Sequence, residues 1–397
     1  MRWLILLLLI SCSSSGSAAT EASQGPPVRI APPSASGFQV SVRLVPEIQV
    51  TGSPGSELQI EWTSELGTSA PWSVLTNLTI GETGATTIDL TAGATDRFYR
   101  AVALPLPPPP PVTEPPDEAI PEMLKIPAET FKMGSPLSEK FRSGDETQHS
   151  VRIARDYFLG STEVTHAHWT LVLEWGTTNG YTDLPAGRNG WNGGSIGNHP
   201  VTEVSWFDAV KWCNALSEWT GLVPAYTLDG TVFRTGNGER LKCNWDTTGY
   251  RIPTEAEWEH ACRAGNATAY FTGQNTKGYC EPEPNLDLAG WYCGNSDGNT
   301  HPVAAPEKQP NGFGLRDLHG NVLEWCWDWY GSYATSASVD PKGPSTGSQR
   351  ASRGGSWSDA AQYCRSAFRS RGEPSVRSGN IGFRISRTAP TLSEARP

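Results

Sequence analysis

Five consecutive prolines, Pro107 to Pro111, divide this chain of 397 residues. Proline fixes φ and carries no backbone N–H, so neither a helix nor a sheet ladder runs through such a stretch, which extends instead as a polyproline II strut. Each side must therefore build its own core. Residues 105–118 are assigned to a proline-rich linker, with residues 38–104 and 119–390 as the two folded parts it separates.

On the N-terminal side, Met1-Arg2 precedes an apolar run from Trp3 to Ile10 that is too short to span a bilayer, the pattern of an export signal over residues 1–19. Leu9-Ile10-Ser11-Cys12 has the order of a lipobox, so the signal would end before Cys12, lipidated there as the mature N-terminus; the other reading is an ordinary cut near Ala18-Ala19. The expectation is an exported, periplasmic or cell-surface lipoprotein held by that acyl chain. Residues 20–37 are rich in Ser, Ala, Gly and Pro and read as a tether. From Phe38 to Leu104 short alternating runs such as Leu58-Gln59-Ile60-Glu61-Trp62 are parted by turns such as Gly52-Ser53-Pro54-Gly55, which predicts a small all-β sandwich. That module carries no His or Cys and reads as a spacer or adhesion unit.

The C-terminal side is punctuated throughout. With 41 Gly, 32 Pro and 16 Trp in the chain, long periodic helices are excluded and an irregular α+β fold is expected, its centre filled by aromatic plates such as Trp291, Trp325, Trp327, Trp329 and Trp357. Two helices are well signalled. Ser205 and Asp208 bracket a start that stops at Gly221, and Thr254-Glu255-Ala256-Glu257 is a capping box for a helix ending at Gly265. Arg251, Glu257 and Glu259 are expected as buried ion-pair partners. Export implies an oxidising compartment, and the seven cysteines after Cys12 leave at least one unpaired. The net charge of −10, without a basic block, argues against nucleic acid as a partner.

Eight blocks then occur in order: Ile126 to Gly134, Glu163-Val164-Thr165, Pro200 to Trp206, Tyr250 to Glu259, Gly312 to Asp317, Gly320 to Trp325, Arg353-Gly354-Gly355-Ser356-Trp357 and Gly382-Phe383-Arg384. Together they resemble the formylglycine-generating (sulfatase-modifying factor) family over about residues 123–386. The resemblance implies a C-type-lectin-like fold with little regular structure. For catalytic members it also implies oxidation of a cysteine in a sulfatase polypeptide to formylglycine, with molecular oxygen and copper.

Copper(I) is soft and favours two thiolates, which catalytic members present as Cys-x-x-x-x-Cys soon after the Gly-Gly-Ser-aromatic motif. By the resemblance Cys364 is the second of that pair, a substrate-binding and copper-binding thiol, and Ser356 lines the oxygen pocket. The first position is Asp359, a hard oxygen ligand, and Leu323 stands where catalytic members carry tryptophan. Cys326 is a candidate to meet Cys364 from another loop, as a second thiol or, the preferred reading, as a structural disulfide. The resemblance also implies a calcium loop in which Asp317 and Glu324 give side-chain oxygen and Gly320 and Val322 give carbonyls. A weaker second calcium site maps onto Asn285, the Leu286 carbonyl, Asn295 and the Asp297 carbonyl.

His166 and His168 lie two apart near a helix start, do not share a face, and lack a third histidine, so iron is disfavoured. Two functions remain. One is a copper-dependent oxidase acting on a sulfatase polypeptide. The other is a non-catalytic, lectin-like module for a cell-surface glycan or protein. Asp359 is the residue that separates them.

Overall fold

The computed structural model describes residues 114–390 apart from 195, 239 and 335, together with five strand segments between residues 47 and 103. The signal, Cys12, the tether and the whole run Pro107 to Pro111 lie outside the described residues. The chain divides into two compact units, the division along the sequence falling between Pro111 and Val112. The last linker residues already belong to the second unit: Asp117–Ala119 is a 3-10 turn whose Ala119 is buried in the main core.

In the first unit, Glu57–Thr63 pairs antiparallel with Ser73–Thr79 on one side and Phe98–Ala103 on the other, and Glu47–Val50 pairs antiparallel with Ala85–Ile88. The five strands thus form one three-stranded and one two-stranded sheet.

The second unit is α+β, as its punctuation requires, with short strands and four helices. Helix α1 (His166–Thr178), α2 (Trp206–Trp219) and α3 (Glu255–Arg263) each begin on a capping box, from Thr165, Ser205 and Thr254. In such a box the first side chain accepts from the backbone N–H three residues on, and that third side chain closes back. In α1 the reciprocal partner is His168, whose ring nitrogen accepts from Thr165 N, so this histidine has a local structural role. The short α4 (Pro284–Ala289) opens on proline, the residue that lacks the N–H an N-terminus leaves unpaired.

Helices α1 and α2 pack through tryptophan: Trp169 stacks on Trp212 and Trp175 on Trp219, with ring centroids 6.1 and 5.9 Å apart. The aromatic centre is therefore Trp169, Trp206, Trp212, Trp258 and Trp325, all fully buried. Of the tryptophans expected there, Trp325 is central and Trp291 buried, whereas Trp327, Trp329 and Trp357 are half-buried. The sheet next to this core runs Ser370–Gly372, Arg350–Arg353, Leu323–Trp329, Ile381–Gly382, the last pair parallel. A second sheet places Tyr157–Gly160 between Met123–Ile126 and Ser386–Thr388, joining the two ends of the domain.

What regular layers do not supply, buried ion pairs do. Glu259 in α3 receives Arg263 at 2.8 Å, Arg353 from the neighbouring strand, and Gly134 N at 2.8 Å from a distant turn. Burial works against that charge, but the two guanidinium groups hold the carboxyl below its ordinary range. Arg384 grips Glu324, Arg369 grips Glu255, and Arg365 grips both Glu139 and Glu146. Arg251 makes a bidentate pair with Glu257 at 2.7 Å, as expected from sequence. Removing one partner of such a pair leaves an uncompensated buried charge. Glu259→Gln is therefore expected to lower the unfolding free energy by about 3–5 kcal/mol in urea titration; a loss under about 1 kcal/mol, the range of surface pairs, would contradict this account of Glu259.

Candidate functional site

The strand Arg350–Arg353 leads into Gly354 and Gly355, whose φ values of 95° and 72° are in the left-handed region that glycine tolerates. The turn is needed for close approach: a Cβ on Gly355 would lie 2.6 Å from the Cys364 sulfur. Ser356 follows, fully buried, its Oγ donating to Asp359 Oδ2 at 2.6 Å and lying 3.1 Å from Ser358 Oγ. Asp359 N returns to the Ser356 carbonyl, and the Asp359 carbonyl accepts from Cys293 N at 3.0 Å.

Cys364 ends the 3-10 turn Ala361–Tyr363 and is fully buried among Tyr270, Leu286, Tyr292 and Ala361. Burial pushes its thiol well above the ordinary value, and the Asp359 carboxylate raises it further. Asp359 is itself raised by burial, against the Ser356 hydrogen bonds that favour its charge. Thiolate is the form that binds metal and attacks, and this environment disfavours it at Cys364. His319 fixes the loop from below: its Nδ1 donates to the Cys364 carbonyl at 2.7 Å, while Nε2 accepts from Phe271 N.

The preferred disulfide between Cys326 and Cys364 does not form. Both are free thiols in separate core clusters, and the bridge is Cys280–Cys293. Cys326 sits mid-strand, where alternation turns it into the core around α3. The structure thus brings Ser356, Asp359 and Cys364 together with one free thiol, Cys293 of the same cluster being bridged to Cys280, and this donor set does not fit copper(I) held by two thiolates. Leu323 packs partly buried against the main core. Half-buried Trp357 stacks on Trp191 at 5.8 Å, with the Arg188 guanidinium 4.3 Å over Trp191.

The loop from Asp317 to Glu324 is tied to the same turn through Gly320 N, which donates to the Gly354 carbonyl. Gly320 has φ 93°, and a Cβ there would meet the Trp291 carbonyl at 1.9 Å. Glu324 is committed: Arg384 binds both its oxygens and Trp258 Nε1 donates to Oε2 at 2.7 Å. Asp317 differs. Its Oδ2 accepts from Ala304 N, but its buried Oδ1 has no partner, and burial pushes the group up to about 6. Glu163, from the motif before α1, was not singled out by sequence. It is fully buried, its Oε1 has no partner, and burial together with Asp317 and Glu324 raises it well above the carboxylate range. The carboxylate oxygens left without a partner here are Asp317 Oδ1 and Glu163 Oε1.

At the second expected calcium position three of the four expected oxygens accept hydrogen bonds within the protein. The Leu286 carbonyl accepts from Gly290 N, Asn295 Oδ1 from Tyr292 N, and the Asp297 carbonyl from Asn299 Nδ2. Asn285 turns its amide nitrogen to the Gln274 carbonyl. These four residues form a hydrogen-bonded corner.

The sequence profile of the sulfatase-modifying factor enzyme 1-like domain matches residues 110–389. A formylglycine-generating enzyme of Streptomyces coelicolor is 33% identical over 291 residues, covering 68% of this chain and 90% of its own. The chaperone protein LppX of Paenibacillus barcinonensis is 28% identical, covering 59% of this chain and 80% of its own. Among solved structures, Treponema denticola variable protein 1 superposes with a TM-score of 0.56 at 31% identity, over 67% of this chain and 95% of that one. By its sequence and its fold, the chain belongs to the sulfatase-modifying factor (formylglycine-generating enzyme) family.

Proposed function

We propose that this chain is a family member that recognises a ligand, a glycan or protein at the cell surface, rather than one that oxidises a sulfatase cysteine. The observation that carries the reading is the centre itself: one neutral, fully buried thiol, Cys364, faces Asp359, whose carboxylate is held by Ser356. Oxidation of a substrate thiol needs copper(I) on two thiolates, and the other cysteine packed on this cluster, Cys293, is bridged to Cys280. The similarity to a chaperone protein fits use of the fold outside cysteine oxidation. The half-buried Trp191 and Trp357 stack beside the Ser356 turn offers the aromatic surface a ligand would use. In this reading export and a lipid on Cys12 place the module outside the cell membrane.

A structural calcium ion also belongs to this reading. Two buried carboxylates with unpartnered oxygens, Asp317 and Glu163, are costly without a counter-charge, and a hard cation supplies one. Calcium is expected to raise the melting temperature of the chelated protein, because an ion that binds only the folded state stabilises it. Asp317→Asn should abolish that response, and a parent protein indifferent to calcium and chelator would refute the site.

The central reading is tested on a sulfatase-type peptide. The parent should show weak copper(I) binding and formylglycine formation no higher than the peptide without protein. Asp359→Cys should bind copper(I) more tightly and gain measurable conversion. Efficient conversion by the parent, lost in Cys364→Ser, would overturn the proposal.

A further inference from the structure

A second site, away from the Ser356 turn, is built on Asp328. It lines a cavity of about 360 Å³ together with Glu255, Arg369, Tyr333, Ser338 and Met133. Asp328 is only 3% exposed, yet it forms no ion pair within 4 Å among the described residues. Its Oδ2 accepts from Glu255 N at the start of α3, 2.9 Å away, and its Oδ1 makes no hydrogen bond to the described residues.

The neighbouring charges are engaged elsewhere, save that the buried Arg350 Nε has no hydrogen-bond partner. Glu255 is neutralised by Arg369, which grips both of its oxygens at 2.9 and 2.6 Å. The Arg350 guanidinium lies flat between Trp206 and Trp329, 3.7 and 3.5 Å from their centroids, and donates to the Trp327 carbonyl. Lys342 turns its ammonium over Trp245, 4.6 Å from the ring centre. His149 directs Nδ1 to the Thr147 carbonyl at 3.0 Å. Burial and the Glu255 carboxylate push Asp328 up to about 8, while Arg369 pulls the other way.

Two further oxygens on the same cavity are unused. The Tyr333 hydroxyl and the Ser338 Oγ are both buried without a hydrogen-bond partner. Buried polar groups left unpaired are costly, and these two oxygens beside an Asp328 carboxyl without a close ion pair define the chemistry of what would relieve them. An ammonium has one positive charge and three donors. The wall also has an apolar portion, with Met133, Ala256 and Pro344, against which a short carbon chain fits.

We propose that this cavity binds a small primary amine as its ammonium, with Asp328 as counter-ion and the Tyr333 and Ser338 oxygens as acceptors. The site is independent of the state of Cys364 and holds whether or not the chain oxidises sulfatase cysteines.

The test is calorimetric titration and thermal shift of the intact protein with n-butylammonium, against n-butanol, butyrate, guanidinium and potassium at matched ionic strength. Butylammonium should bind at one site and raise the melting temperature, with butanol and butyrate inert. Asp328→Asn keeps an acceptor for Glu255 N and should weaken binding roughly tenfold to hundredfold, the value of a hydrogen bond to a charged group. Tyr333→Phe and Ser338→Ala leave that cap untouched, and each should weaken binding several-fold, so the site remains testable if Asp328→Asn fails to fold. Equal binding of butanol, undiminished binding by all three variants, a response to potassium or guanidinium alone, or no response to butylammonium would each overturn the proposal.

Discussion

Buried guanidinium–carboxylate pairs are the constraint on which the second unit depends. Its strands are mostly two to four residues long and its loops carry most of the chain, so a hydrophobic interior alone would leave many ways to arrange them. Glu259 joins α3, a sheet strand and the Gly134 turn through Arg263, Arg353 and a backbone N–H. Arg384 does the same for Glu324, the Gly160 carbonyl and the Arg316 carbonyl. A buried pair is a weak source of net stability but a strong penalty on any arrangement that parts it. The pairs therefore select one loop arrangement among many.

The same pairs shape the site. Arg365, next to Cys364, is anchored on Glu139 and Glu146, and His319 binds the Cys364 carbonyl. Fixed from both sides, residue 364 delivers its sulfur into the core beside the Gly355 turn rather than to solvent. Arg384 likewise takes both oxygens of Glu324, which shifts the free carboxylate oxygens of that region to Asp317 and Glu163. Where a catalytic pair would hold copper, this chain has a hydrogen-bonded Ser356 and Asp359 closed over one thiol.

Much of this was legible in the sequence, for local reasons. The starts of α2 and α3 were written in Ser205 with Asp208 and in Thr254 with Glu257, since capping acts over three residues. The pair Arg251 and Glu257 and the left-handed stops at Gly221 and Gly265 were local too. The family blocks put Ser356, Asp359 and Cys364 in one place, and Ser356 bonds Asp359 while Gly355 packs on the Cys364 sulfur. What escaped was long-range. The bridge Cys280–Cys293 was one of many pairings that spacing permits. The roles of Glu163 and Asp328 depend on which counter-charges fold elsewhere, and a carboxylate left without one looks in sequence like any other. His168, set aside as a ligand, has a capping role that histidine seldom advertises.

The central claim is that the family's reaction centre is sealed around an inert thiol in this chain, and native-state alkylation tests it most directly. The intact protein would be treated with iodoacetamide between about pH 7 and 8.5, around the free thiol's ordinary pKa, and each cysteine quantified by peptide mass spectrometry against the denatured chain. The account predicts that Cys364 stays unmodified in the native protein across that range and reacts fully on denaturation. Rapid alkylation of native Cys364, rising toward saturation at neutral pH, would show an accessible thiolate and contradict it.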